Sequence, residues 1–181
     1  YVKLLAPILV QTAEEVWDHL PAPREAESIH LALFPETAPA GEEETALMTR
    51  WEKLLTVRSD VARELEKLRV SKKIGNSLEA SVELAAESPG LRELLSRHHA
   101  DLPTIFIVSE VKLTESATDG FVKGTDVPEL AVRVSRIGHA KCARCWTYRE
   151  SVGVEREHPD LCARCAEVVA RAAASSQTGG T

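Results

Sequence analysis

All four cysteines of the chain fall into two identical Cys-Ala-Arg-Cys knuckles, at Cys142 and Cys145 and at Cys162 and Cys165. Two residues between cysteines let both sulfurs of a knuckle face one ion, and sixteen residues between the knuckles lets the pairs converge. This spacing predicts a four-thiolate structural zinc site with no open coordination position, hence no catalytic water. A pair of disulfides, or a redox-active Cys-x-x-Cys, would draw on the same residues, and iron could occupy the same ligands. The segment around the knuckles has few larger apolar side chains, namely Trp146, Tyr148, Val152, Val154, Leu161, Val168 and Val169. Ordering its backbone costs roughly 1 to 2 kcal/mol per residue. Structural zinc contributes about 10 to 16 kcal/mol in comparable modules, which is of the size needed.

Arg133, Arg136, Lys141, Arg144 and Arg149 surround the first knuckle, and no acidic residue occurs from Ala131 to Arg149. Two readings stand. Four thiolates on a divalent ion leave a charge near −2, so in the first the cations serve only to neutralise the centre. Alternatively the cations hold phosphates, with Trp146 as a stacking platform for an unpaired base, as single-stranded RNA loops are held. Trp146 is equally compatible with a lid over the core of the small module.

The net charge of −6 excludes a chain that coats nucleic acid over its whole surface, so any such contact is local. No stretch approaches the length of apolar sequence that spans a membrane, and reduced thiols suit the cytoplasm. The chain begins at Tyr1 already in helical periodicity, which reads as a piece of something longer, and the "ASSQTGGT" end reads as a disordered tail over 172–181.

Apolar residues Leu5, Leu9, Ala13, Val16, Trp17 and Leu20 predict a helix over 2–20, with Pro7 tolerated near its start. A longer helix is predicted over 43–73, from Leu47, Trp51, Leu54, Leu55, Val61, Leu65 and Leu68, and the two suit antiparallel packing in a bundle. At "SLEASVELAAE" the period becomes two, predicting a half-buried strand. Ser88 as N-cap and Pro89 open a short helix carrying Leu91, Leu94, Leu95 and His98. "TIFIVSEVKL" is expected as a second strand, parallel to the first after the crossover, and "LAVRVSRIG" as a third. A second basic run, Arg63, Lys67, Arg69, Lys72 and Lys73, reads as a solvated helix face, and "VSKKIG" lacks the glycines of a phosphate cradle. His98 and His99 have no metal-ligand partners and read as a helix-end and a surface histidine.

The fold expected is therefore mainly α: a helical bundle over 1–76, a small βαβ-type junction unit over 77–138, and a zinc-ribbon-like module over 139–171.

In this order, "LAPILVQTAEEVW", "ESIHLALFPE", "RVSKKIGNSLEASVEL", "KCARCWTY" and "LCARCAEVV" resemble the C-terminal part of the bacterial isoleucyl-tRNA synthetase family, over residues 1 to 171. Val10 and Gln11 stand where that family usually has Pro and His. The resemblance implies a bundle of the anticodon-binding type that grips the anticodon stem and loop of tRNA(Ile). It also implies a zinc-binding end at Cys142, Cys145, Cys162 and Cys165, and RNA contacts among Arg133, Arg136, Lys141, Arg144, Trp146 and Arg149. The family's His-Ile-Gly-His and Lys-Met-Ser-Lys-Ser motifs do not occur here. ATP, Mg2+ and the ligase chemistry would then belong to a catalytic domain elsewhere in the same monomeric polypeptide. A protein-docking zinc ribbon, or a metal staple that only holds the chain end, are the alternatives.

Overall fold

The computed structural model describes residues 1–37 and 39–178. The chain forms two compact units, Tyr1–Thr45 and Ala46–Thr181. Among the described residues no helix is long and apolar enough to cross a membrane.

In the first unit the expected single helix is two, α1 (Val2–Leu5) and α2 (Val10–Asp18), with the interruption at Pro7. A proline ring leaves no N–H for the ladder and crowds the preceding turn. A 3-10 turn at Ile29–Leu31 returns the chain onto α2. Trp17 donates its indole N–H to the Ala26 carbonyl (3.0 Å), and the Glu14 carboxylate accepts both the Ser28 hydroxyl (2.9 Å) and the Ile29 N–H (3.1 Å). The resulting core is Ala6, Ala13, Trp17 and Ile29, with Val2 and Ala32 packed against it. Burial thus follows the face met by the return segment. Leu5, Leu9, Val16 and Leu20 of the expected stripe are exposed instead.

In the second unit a mixed sheet has the order β2-β1-β4-β3. β1 (Ala80–Ala86) runs parallel to β2 (Glu110–Thr114) and antiparallel to β4 (Leu130–Arg136), while β3 (Val122–Lys123) covers the far edge of β4. The parallel pairing after a helical crossover is as expected, the crossover being α4 (Pro89–Arg97) and α5 (Leu102–Phe106). Ser88 caps α4 by accepting the Leu91 N–H, and His98 ends it, as expected of a helix-end histidine.

Two strand expectations are corrected. β1 is central and buried on both faces rather than half-buried. The face opposite Val82 and Leu84 holds Ser81, whose hydroxyl donates to Glu110 (2.6 Å), Glu83, which meets Arg133 directly across the ladder, and the buried Ala85. The first half of "TIFIVSEVKL" is α5, because Pro103 opens a helical turn that Ile107 closes in the left-handed region (φ 59°, ψ 48°). Only Glu110–Thr114 is strand.

The long helix α3 (Glu42–Val70) falls where the periodicity predicts it, with glutamates in its first turn and Lys67 and Arg69 in its last, each complementing the helix dipole. Its Leu54, Val57, Val61 and Leu65 share one core with Val82, Leu84, Leu91, Leu95, Leu130 and Val132. A final helix, α6 (Ala163–Thr178), occupies most of the stretch expected as a disordered tail. Residues 179–181 of that expectation lie outside the described residues.

One buried charge ties α3 to the sheet. Asp60 is 3% exposed, and its oxygens accept the N–H groups of Thr125 (2.9 Å), Asp126 (3.1 Å) and Val127 (2.9 Å). Arg63 bridges Asp60 and Asp126, each at 2.5 Å. Burial alone would raise the Asp60 pKa. The donors from Asp126, Val127 and Thr125, with Arg63, outweigh it and hold the carboxyl below its ordinary value. A β-carbon on Gly124 would collide with the Val127 carbonyl and the Asp60 carboxylate, so the loop requires glycine there for close approach.

Asp60→Asn places an amide donor against backbone donors. It is expected to cost about 3 kcal/mol or more in urea unfolding. A carboxyl whose pKa is lowered by folding contributes stability that is complete above its unfolded value and lost as pH falls through the folded one. Below about pH 4, therefore, the parent should lose stability more steeply than Asp60→Asn.

Candidate metal centre

β4 delivers the chain to the first knuckle, and the Ile137 N–H donates to the Glu79 carbonyl (2.8 Å) as the strand ends. Lys141 and Tyr148 then bridge antiparallel and enclose a tight loop. Within it the Cys142 N–H donates to the Thr147 carbonyl (3.0 Å) and the Trp146 N–H to the Cys142 carbonyl (2.9 Å). This closure forces Trp146 into the left-handed region (φ 64°). The second knuckle is the entry to α6, where the Cys165 N–H donates back to the Cys162 carbonyl (2.9 Å). The two knuckles meet through the Ala143 N–H on the Asp160 carbonyl (3.0 Å) and the Cys162 N–H on the Cys142 sulfur (3.4 Å).

The four sulfurs lie within 4.8 Å of one another. Zinc–thiolate bonds of about 2.3 Å in a tetrahedron require sulfur–sulfur edges of about 3.8 Å. Cys145 and Cys162 are 3.8 Å apart. All four cysteines are free, so the disulfide reading does not hold. Cys142, Cys162 and Cys165 are fully buried, and among the described residues the rest of this core is Leu161 and Ala166, with Cys145, Val152 and Val169 beside them. The donor set fits one zinc ion, which would be held by the four cysteines and supply no open position for chemistry.

The surroundings favour thiolates unevenly. Burial pushes the Cys162 thiol up, and the neighbouring sulfurs add to that shift. At Cys145 burial is outweighed by the Thr147 hydroxyl and N–H, which hold the thiol well below its ordinary value. Arg144 reaches the Cys165 sulfur (3.7 Å). Arg164, through its hydrogen bond to Cys165 and its attraction to Cys165 and Cys145, has its own pKa raised. Two arginines, one from each knuckle, thus neutralise part of the centre.

The residues expected as RNA contacts separate into groups. Arg133 is committed within the sheet: it donates to Glu83 (3.1 and 2.5 Å), Thr118 (3.3 Å) and the Asp119 carbonyl (3.1 Å), and lies 4.7 Å over the Phe121 ring. Arg136 ends β4, 3.6 Å from Glu79 and exposed. Lys141, Arg144 and Arg149 gather at the first knuckle with Trp146. Lys141 sits 5.3 Å over the Trp146 ring, and Arg149 donates to the Thr147 hydroxyl (3.1 Å). Trp146 itself is 62% exposed, which removes it from the module core.

Sequence reasoning passed over Arg164 and Thr147, although Arg164 repeats the place of Arg144 in the second knuckle. It also passed over Ser109, which is buried and joins the module to the sheet. The Ser109 hydroxyl donates to the Leu78 carbonyl (2.6 Å) and accepts the Tyr148 N–H (2.7 Å). No pattern around Ser109 announces that role. Beside it a groove of about 650 Å3 is lined by His99, Glu110, His139, Tyr148 and Arg149.

Purified under reducing conditions, the chain is expected to carry about one zinc ion by elemental analysis. Arg144→Ala and Arg164→Ala should each weaken zinc retention against a chelating dye by about 10-fold or more, as loss of partners around a metal site does. Cys162→Ser should abolish stoichiometric binding. Metal-free protein with two disulfides would contradict the assignment.

Residues 1–84 match the family described as anticodon-binding domain of tRNA ligase, and residues 141–168 the zinc finger found in FPG and IleRS. Over 168 residues the chain is 46% identical to the isoleucine–tRNA ligase of Geobacter sulfurreducens, covering 93% of this chain and 18% of that protein. The corresponding ligases of Syntrophotalea carbinolica and Brachyspira hyodysenteriae are 43% and 41% identical, over 92% and 93% of this chain and 18% of each relative. The chain spans about a fifth of the length of the curated relatives it matches. By its two matched domains and its cysteine centre, this chain carries an anticodon-binding domain of the tRNA-ligase type and a zinc finger of the kind found in FPG and IleRS, and over nine-tenths of its length it is similar to a part of bacterial isoleucine–tRNA ligases.

Proposed function

We propose that the chain is the tRNA-binding C-terminal part of an isoleucine–tRNA ligase, and that it positions and reads the anticodon stem-loop of tRNA(Ile). ATP, Mg2+ and aminoacylation belong, in this reading, to the catalytic domain of the same monomeric, cytoplasmic polypeptide. The division into a mainly helical anticodon-binding part (1–76), a junction unit (77–138) and a zinc module (139–171) is carried forward as part of the proposal.

The observation that carries it is Trp146, a large aromatic ring held exposed at the metal knuckle, with Lys141 over its face and Arg149 on the hydroxyl of the adjacent Thr147. A tryptophan in the left-handed region loses stability relative to glycine. Local strain of this kind is kept where the surrounding structure fixes it, and it concentrates at working sites. The work divides into positioning and reading. Basic side chains hold phosphates, and the indole face accepts an unstacked loop base. The metal fixes the knuckle, and Ser109 fixes the module's place on the sheet. Arg133, bound up with Glu83, takes a structural part and is left out of the reading surface. An exposed ring amid cations favours RNA over protein docking, which would draw on an apolar patch.

Base–aromatic stacking contributes about 1 to 3 kcal/mol. Trp146→Ala is therefore expected to weaken binding of a tRNA(Ile) transcript by about 5- to 150-fold while the protein keeps its zinc. A variant with zinc retained and affinity unchanged would make the module a staple only.

A further inference from the structure

The end of α3 carries a second cationic feature, away from the cysteine centre. A cavity of about 490 Å3 is lined by Arg69, Lys72, Lys73, Gly75, Glu79 and Arg136. The backbone beneath it is hydrogen-bonded and anchored in the core. The Lys72 N–H donates to the Arg69 carbonyl (3.0 Å) and the Lys73 N–H to the Leu68 carbonyl (2.9 Å), while Ile74, 3% exposed, is anchored in the main core. This closure puts Lys72 in the left-handed region (φ 56°), the place at a helix end where glycine is the ordinary residue.

Among the described residues, the one carboxylate lining the cavity is already engaged. Glu79 accepts the Gly75 N–H (3.2 Å) and the Asn76 amide (3.3 Å), with Arg136 3.6 Å away. Glu66 holds Arg69 at 2.7 Å, and Arg69 also donates to the Ser77 hydroxyl (3.0 Å). The side chains of Lys72 and Lys73 are exposed and make no ion pair or hydrogen bond among the described residues. Most other cations of this acidic chain have a carboxylate partner, as Lys53, Lys67, Arg97 and Lys123 do. A helix dipole is served equally well by the paired Lys67 and Arg69, so it does not require a lysine in a strained conformation.

We propose that Lys72 and Lys73, with Arg69 and Arg136 beside them, form a phosphodiester-binding site that holds the RNA backbone and reads no base. The site rests on the reading of the chain as tRNA-binding, but on different residues from those of the metal knuckle. Arg136 belongs to this site through β4, which ends there before the chain passes to Lys141.

The test measures the affinity of the full, zinc-loaded chain for a tRNA(Ile) transcript across a range of salt. Lys72→Gly removes one charge and relieves the left-handed residue, so its melting temperature should hold or rise. Its plot of log K against log salt should become shallower by about 0.7 to 0.9. Lys72→Gly with Lys73→Ala should approximately double that change, weaken cognate and non-cognate tRNA alike, and keep the zinc. Lys72→Arg should retain the parent slope. Unchanged slopes in the glycine and double variants, with tRNA still bound, would overturn this site and leave the knuckle reading standing. Changed slopes together with an unchanged Trp146→Ala affinity would overturn the knuckle reading and leave this site standing. A parent chain that binds no tRNA would overturn both.

Discussion

Four sulfurs within 4.8 Å of one another cannot all be ionised without a cation among them. The fold concentrates acidity there regardless, burying three of the four and lining the cluster with N–H donors, a threonine hydroxyl and two arginines. These partners offset part of the charge and leave the remainder to a divalent ion. The module has almost nothing else to bury, so its order and its metal are one event. From that event follow the closed knuckle, the left-handed Trp146 and the presentation of its ring beside Lys141.

The same chain solves its other buried-charge problem without a metal. Asp60 spends its lone pairs on three backbone donors and a guanidinium, which fastens the loop before β4 to the middle of α3. Glu83 and Arg133 answer each other across the central strands. α3, the sheet and the crossover helices therefore form one body with a common core. The cysteine module is mounted on that body through β4 and through the hydroxyl of Ser109. In the proposed function this mounting matters as much as the metal, because a reading side chain is useful only at a fixed distance from the groups that grip the backbone.

Local chemistry was the part most legible in the sequence. The knuckles carry their ligand geometry in their spacing, α3 carries its length in its period, and Ser88-Pro89 names the start of α4. The failures occur where long-range packing decides. The stripe at Leu5, Leu9, Val16 and Leu20 looks like a core face, but the return segment at Ala26–Ala32 covers the side with Ala6, Ala13 and Trp17. β1 looks half-buried because Ser81 and Glu83 are polar, and their partners, Glu110 and Arg133, lie 29 and 50 residues away in sequence. Asp60 carries no signal within the charged run of α3 for the same reason, its loop donors being 65 to 67 residues distant. Arg133 joins the basic patch by proximity in sequence, whereas strand pairing turns it toward Glu83. "TIFIV" has β-forming side chains, yet a proline at its start and the need to place Leu102 and Phe106 in the core made it a helical turn.

Metal, module order and the presentation of Trp146 should be inseparable, while the helix–sheet body should stand by itself. Amide correlation spectra of the zinc-loaded chain, before and after complete metal removal under reducing conditions, test this coupling most directly. Resonances from residues 139–171, Trp146 and Tyr148 among them, should collapse to unfolded positions, while those of α3, β1 and β4 keep their dispersion. A module whose resonances stay dispersed and in place after the metal is gone would contradict that coupling.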